Sequence, residues 1–339
     1  MENVILNVYR GDVVENSHRG HIAVVDDKGH LLYSFGNPYR ITHGRSALKP
    51  FQALPVIETG TADHFQFTAA DLALCASSHS GEEIHRRSVQ RILDKIDVGV
   101  NQLVCGITPP IDKQSYEDMI RRNEPINTVC QECSGVHAGM LATAIYMEEN
   151  TEGYAKPTHP VQRRVKRAVL DMTSTTEQEV QLATDGCGIP TFCMPLYNIA
   201  WGFARLANPS QVQPEHRSSV ERMVTAYLKH PEMITGTNTY STRVFRAFGN
   251  RIILKEGSQG VFGMTDLDAG VGVAIKIEDG RKTELPPVLN ELFRQLGIGT
   301  HGPLQSLEQD MNWQQSQLED TNHQVVGKFK ASFTLQAHA

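Results

Sequence analysis

What most constrains the fold is a change of hydrophobic period along the chain, strand-like at both ends and helix-like between them. Val4 to Val8 and Gly20 to Val25 are apolar and β-branched, and Asp26-Asp27-Lys28-Gly29 supplies turn residues before His30 to Phe35 resumes the pattern. The chain therefore opens with a predicted β-hairpin. From Ser46 to roughly Lys229 apolar residues recur at helical spacing, in windows such as Ser80 to Ile96, Gly135 to Glu149, Val161 to Met172 and Pro195 to Leu206. Alternation returns at Gly260 to Met264 and Gly270 to Ile277, with Glu278-Asp279-Gly280 as a turn, and again at Gln324 to Leu335 after a helix around Pro286 to Leu296. Strands at both termini bury their apolar faces most simply by pairing in one mainly antiparallel sheet, with the middle covering it. The expected class is α+β, in a single domain over residues 1–339, with strands from about 3–36 and 250–335 and a helical portion over about 46–230.

Composition removes whole classes of function. With 40% hydrophobic and 21% charged residues in 339, the chain suits neither disorder nor a coiled coil and can bury a full core. A formal charge of −6 leaves no basic excess to neutralise phosphates, so nucleic acid is not an expected partner. Met1-Glu2-Asn3-Val4 begins no signal peptide, and no window approaches the ~20 apolar residues of a membrane span, so a cytoplasmic location away from membranes is expected. In that setting the six cysteines (Cys75, Cys105, Cys130, Cys133, Cys187 and Cys193) read as thiols or metal ligands rather than disulfides. No glycine-rich loop joins a strand to a helix: Gly257 to Gly263 lies between strand-like residues, which argues against a nucleotide site.

Four segments carry candidate chemistry. Ser46 and Lys49 are three apart where the helical region begins, so they share a helix face on which a lysine amine, its proton affinity lowered by burial, could take a proton from the hydroxyl. On its own the pattern reads better as an N-cap serine with a solvated lysine. Ser77-Ser78-His79-Ser80 runs hydroxyls into a helix whose start Glu82 or Glu83 would favour. Cys130-Gln131-Glu132-Cys133-Ser134-Gly135-Val136-His137 sets two thiols and an imidazole before a small-residue helix. Thr184-Asp185-Gly186-Cys187-Gly188-Ile189-Pro190 suits a tight loop.

In order along the chain, Tyr9-Arg10-Gly11-Asp12-Val13-Val14-Glu15, His18, Gly20, His21 to Asp26, Arg45-Ser46-x-x-Lys49-Pro50-Phe51-Gln52, Ser78-His79-Ser80-Gly81-Glu82, Cys133-Ser134-Gly135-x-His137-Ala138-Gly139-Met140, His159-Pro160-Val161-Gln162 and Asp185-Gly186-Cys187 resemble the Rhizobium-type L-asparaginase II family. The resemblance runs from about Tyr9 to the C-terminal strand. It implies a fold like the serine β-lactamases and glutaminases, a homodimer, and two catalytic pairs, Ser46 with Lys49 and Ser78 with Lys255. It also implies zinc near the substrate, on two cysteines that match Cys133 and Cys187 and a lysine whose place is taken by Val136. With that ligand missing, zinc is expected to be weak or absent and no cofactor to be required; Cys130 or His137 could substitute. Gln131-Glu132 replaces a paired Asn, Gly236 to Thr242 lacks the family's Arg and Asp, and Gln259 replaces a Glu.

The implied reaction is hydrolysis of asparagine to aspartate and ammonia. Lys49 deprotonates Ser46, Ser46 attacks the side-chain amide, and water releases the acyl group, with Ser78 and Lys255 relaying protons and keeping Lys49 neutral. Arg45 suits the substrate's α-carboxylate, Asp185 its α-ammonium, and His137 a further hydrogen bond. The altered pocket leaves two rivals, hydrolysis of another amide and non-catalytic binding of an amino acid.

Overall fold

The strands of the two ends pair as their pattern predicts. In the computed structural model, which describes residues 3–281, 285–300, 302–310 and 317–338, the strand Val4–Arg10 lies antiparallel between Val325–Ala331 and Val13–Asp26. Val13–Asp26 continues the sheet to Val271–Ile277, and beyond it lie Val261–Asp266 and Ile252–Gly257, every pair antiparallel. Leu31–Phe35 also pairs with Val13–Asp26. The class is a mixed helix and antiparallel sheet fold, α+β. Residues 324–335, expected as one strand, end at Ala331, and a separate short strand, Gln336–Ala337, turns back to pair with Leu31–Phe35. Gln295 fixes this break, its amide accepting from the Leu335 N–H and donating to the Phe333 carbonyl.

The chain divides into two units, where a single domain over 1–339 is the expectation from sequence. One comprises residues 1–42, 194–207 and 243–339, the other 43–193 and 208–242. Each is assembled from separated stretches, which local periodicity does not reveal. The first holds the sheet, with the helix Leu196–Ala207 against Val13–Asp26, Val261–Asp266 and Val271–Ile277. Two glycines let that helix sit close: a Cβ on Gly263 would come within 1.9 Å of Phe203 and one on Gly272 within 2.0 Å of the Ala200 carbonyl oxygen. Ile252–Gly257, an edge strand of this sheet, carries Lys255, whose side chain is wholly buried.

The second unit is helical. Its central helix, Ser134–Tyr146, is buried at every position from Ser134 to Ala144 and packs against Leu54–Glu58, Ala69–Cys75, Glu83–Lys95 and Pro160–Thr173. A helix apolar on all sides is a core element. A hairpin not foreseen in the sequence, Gln181–Thr184 against Pro190–Pro195, carries the tight loop of Asp185 and Cys187. All six cysteines are buried thiols. No helix among the described residues is long and apolar enough to cross a membrane.

Candidate active site

The site grows from residues 44–52 of the helical unit. Gly44 donates its N–H to the Phe192 carbonyl and Arg45 to the Thr191 hydroxyl, so the hairpin strand fixes where the segment starts. Arg45 has φ of +49°, a left-handed conformation costly for a side chain with a Cβ. A 3₁₀ turn, Arg45–Leu48, then brings in Ser46, and Lys49–Gln52 follows as one α-turn with Pro50 in its first positions, where the missing N–H costs nothing.

Lys49 is 2% exposed and its ammonium meets three acceptors, the Ser77 carbonyl at 2.6 Å, the Ser78 hydroxyl at 2.9 Å and the Cys133 sulfur at 3.1 Å. That satisfies every proton a lysine ammonium carries. None of the three bonds goes to Ser46, the partner that the three-residue spacing predicts, although Ser46 is buried nearby in sequence. The spacing fixes where the Cβ atoms stand, and the four-carbon stem of Lys49 runs on to the Ser77-Ser78 loop.

That loop is held on several sides. Ser78 donates its N–H to the Ile234 carbonyl and His79 to that of Glu132. The His79 ring accepts from the Gly81 N–H at Nδ1, so Nε2 carries the proton and donates to the Ser134 hydroxyl at 2.8 Å, tying the loop to the start of the central helix. The Gly236 segment, where the family pattern is lost, is held by Glu82, which accepts from Ser80 and from both the N–H and hydroxyl of Thr237.

Interaction with Cys187 of the hairpin loop, opposed by burial and helped by the charge of Lys49, brings the Cys133 thiol at the central-helix start down to about 6, while the same interaction and burial push Cys187 up. Burial works against a charge on Lys49, but the Cys133 and Cys187 sulfurs and then Glu132 outweigh it and hold the lysine above its ordinary range. This reverses the direction expected from burial alone: the neighbouring sulfurs favour the ammonium form of Lys49.

Arg45 and Asp185 also come together. The guanidinium Nε and Nη2 donate to Asp185 Oδ1 at 3.1 and 2.8 Å, and the Gly186 N–H to the same oxygen. Burial disfavours the carboxylate, yet Arg45 and this N–H keep its pKa below the usual range. The two groups expected to bind opposite ends of an amino acid thus form one ion pair, 22% and 14% exposed. His137, fully buried, lies beside the Cys187 backbone; burial and then the charge of Lys49 depress it to about 3, so it is neutral. Its Nδ1 is 2.7 Å from the Tyr154 hydroxyl.

The donor set does not fit the three-ligand zinc implied by the resemblance. Val136 is buried on the central helix and offers no ligand. Among the described residues the one group of three His, Cys, Asp or Glu donors within 4.8 Å of one another is Asp171, Glu215 and His216, so neither Cys130 nor His137 completes a set with Cys133 and Cys187. The cation beside Cys133 is the ammonium of Lys49. The Asp171 group is no metal site either, because both His216 ring nitrogens already meet carboxylates, Glu58 at 2.6 Å and Asp171 at 3.0 Å.

Six of the expected residues therefore gather in the helical unit: Arg45 with Asp185, Lys49 with Ser78 and Cys133, and Cys187 with Cys133. Ser46 and His137 adjoin them in sequence, and Lys255 belongs to the sheet unit, its Nζ donating to the Glu256 carbonyl. Sequence reading missed the Lys49–Cys133 contact and Tyr154. A signal for Tyr154 exists in His159-Pro160-Val161-Gln162. His159 caps the helix Pro160–Thr173 through the Val161 N–H, and Gln162 donates to the Tyr154 carbonyl at 3.0 Å.

Comparison with known proteins first defines a class: the chain is a hydrolase acting on amides. Residues 6–331 match the model of the L-asparaginase II family, and the chain belongs to that family. No curated protein matches it. Among solved structures, a β-lactamase from Mycobacterium bovis matches at 10% identity and TM-score 0.40, covering 81% of this chain and 94% of that one. A β-lactamase from Sphaerobacter thermophilus matches at 12% identity and TM-score 0.39, with 78% and 84% covered. Simvastatin synthase from Aspergillus terreus matches at 12% identity and TM-score 0.40, with 86% and 91% covered.

Proposed function

We propose that this protein hydrolyses the side-chain amide of L-asparagine, giving L-aspartate and ammonia through a serine acyl-enzyme. The observation that carries the reading is the buried Lys49 ammonium, 2.9 Å from the Ser78 hydroxyl, on the segment whose Arg45 pairs with Asp185. An α-amino acid brings one carboxylate and one ammonium. It can exchange with the Arg45–Asp185 pair without leaving a charge unmatched, the carboxylate on Arg45 and the ammonium on Asp185. His137 supplies a further hydrogen bond.

Ser46 is the nucleophile in this reading, three residues before Lys49 and directly after the strained Arg45. Lys49 must first become an amine, and the Cys133 sulfur at 3.1 Å is an acceptor at hand for its proton. Lys49 then takes the Ser46 proton as Oγ bonds to the amide carbon, and returns a proton to the nitrogen as the C–N bond breaks. Water next attacks the ester, forming the β-carboxylate and restoring the serine. Ser78, hydrogen-bonded to Lys49, relays protons. A second reading, in which Ser78 attacks, is favoured by its contact with Lys49. We further propose that no metal is needed, that the protein works in the cytoplasm in asparagine breakdown, and that it is a homodimer. The altered Gly236 segment gives weight to a different amide as substrate, and a binder without turnover is the third possibility.

Ammonia release from asparagine, glutamine and a panel of simple amides tests the reading. Asparagine is expected to be the best substrate. A better rate on another amide would change the substrate and leave the chemistry, while stabilisation by aspartate with no ammonia from any amide would mark a binder.

A further inference from the structure

Tyr154 is buried, 1% exposed, and outside the reacting groups, yet its hydroxyl decides what His137 can do. The phenol oxygen accepts the Val104 N–H at 3.1 Å, and its own buried proton has to find an acceptor. That acceptor is His137 Nδ1 at 2.7 Å. A nitrogen that accepts cannot carry the ring proton of a neutral imidazole, so the proton resides on Nε2. His137 Nε2 is buried beside the Cys187 backbone, with no partner at good hydrogen-bond geometry. A buried donor without a partner costs free energy, and a site can recover that cost by binding a group that accepts.

We propose that Tyr154 is the positioning residue that fixes His137 as an Nε2–H donor, so that the substrate must present an acceptor oxygen there, a carboxylate or amide carbonyl. The inference deepens the asparaginase reading and rests on it for the identity of the substrate. His137 stands one helical turn beyond Cys133, its N–H donating to the Cys133 carbonyl at 3.1 Å, which places it at the same cluster. Tyr154 is held in turn, its backbone carbonyl accepting from Gln162 and its ring meeting the His137 ring edge-on at 5.6 Å between centroids. An amide carrying a donor in place of that oxygen would confront one N–H with another and be rejected.

The test is Tyr154→Phe, which keeps the ring and removes the hydroxyl. Nitrogen-15 spectra of histidine-labelled protein read the tautomer without turnover. The parent should show His137 protonated on Nε2 only, and the variant a mixture with the Nδ1–H form. Aspartate affinity, measured by calorimetry, should fall by the reciprocal of the Nε2–H fraction the spectra show, about twofold for an even mixture. KM for asparagine should rise by a similar factor while kcat changes less, the mark of lost ground-state binding. His137→Gln, which keeps a donor near Nε2 and needs no tautomer, should be indifferent to the presence of Tyr154. An Nδ1–H tautomer in the parent, or unchanged aspartate affinity in a folded Tyr154→Phe protein, would overturn the proposal. Failure of the parent to release ammonia from asparagine would strike the functional reading alone, since tautomer and affinity are read without it.

Discussion

Lys49→Met removes the group on which both catalytic readings depend and leaves a side chain of similar length and no charge. It strips the Ser77 carbonyl, the Ser78 hydroxyl and the Cys133 sulfur of a donor, at 2.6, 2.9 and 3.1 Å. A hydrogen bond to a charged group contributes about 1.5–3 kcal/mol net, so three would sum to roughly 5–9 kcal/mol. Against this stands the desolvation of a fully buried ammonium, an effective cost of roughly several kcal/mol that Met does not incur. Cys133 also reverts to a neutral thiol, which removes the charge that would otherwise be stranded. The two terms nearly offset, and the expected net loss is about 3 kcal/mol or less, a fall in Tm of roughly 10 °C at most for a chain of this size. The chemical loss is far larger. A general base contributes about 10²–10⁴-fold, and where base and nucleophile act as a unit the loss approaches 10⁶. Ammonia release at saturating asparagine, set beside a thermal melt, separates the two scales. Ser46→Ala should cause a similar loss, and the double variant scarcely more than either. A folded Lys49→Met protein with kcat/KM within tenfold of the parent would refute the assignment of Lys49 as base.

Three further outcomes follow from the same structure. Because Lys49 is held above the ordinary lysine range, its amine is scarce at neutral pH, so kcat/KM should climb through neutrality and keep climbing past that range; a plateau reached by neutral pH, with chemistry rate-limiting, would contradict a lysine base. Metal analysis should find well under one zinc per chain in purified protein and more in Val136→Lys, whereas stoichiometric zinc in the parent would show that two thiols suffice or that another ligand joins them. His216, whose burial is outweighed by Glu58 and Asp171 so that its pKa is raised, stabilises the fold as an imidazolium. That contribution is complete below the unfolded pKa of about 6.5 and is lost as pH rises through the folded value. The Tm gap between parent and His216→Asn should therefore shrink as pH is raised above neutrality, and a constant gap would refute it.

How far the chain could be read from its sequence depended on the range of the interactions that decide each feature. The hairpin at the start, the helix near 134–146 and the strand at 271–277 follow from local composition, because an apolar run, long for the helix and short and β-branched for the strand, leaves its mark within a few residues. The hairpin strand Gln181–Thr184 was invisible for the opposite reason: all four residues are exposed, so no alternation records it. The Ser46–Lys49 spacing draws attention to the right segment, while the hydrogen bonds Lys49 makes in the structure go to Ser77, Ser78 and Cys133, 28 to 84 residues away. The charge state of Lys49 was misjudged for the same reason. Burial is legible in a sequence and lowers a lysine pKa, while a sulfur brought in from the central helix is not legible and raises it. Tyr154 had no motif of its own, only the Gln162 that holds its carbonyl.

Rapid quenching of the protein with asparagine, followed by peptide mapping, reads the covalent step itself. The account predicts a β-aspartyl ester on Ser46, formed and lost at rates that match steady-state release of one aspartate and one ammonia per asparagine. It predicts no ester in Lys49→Met. An ester found on Ser78 would exchange the roles of the two serines, and ammonia released with no ester on any serine, under conditions where acylation outpaces hydrolysis, would contradict the acyl-enzyme account.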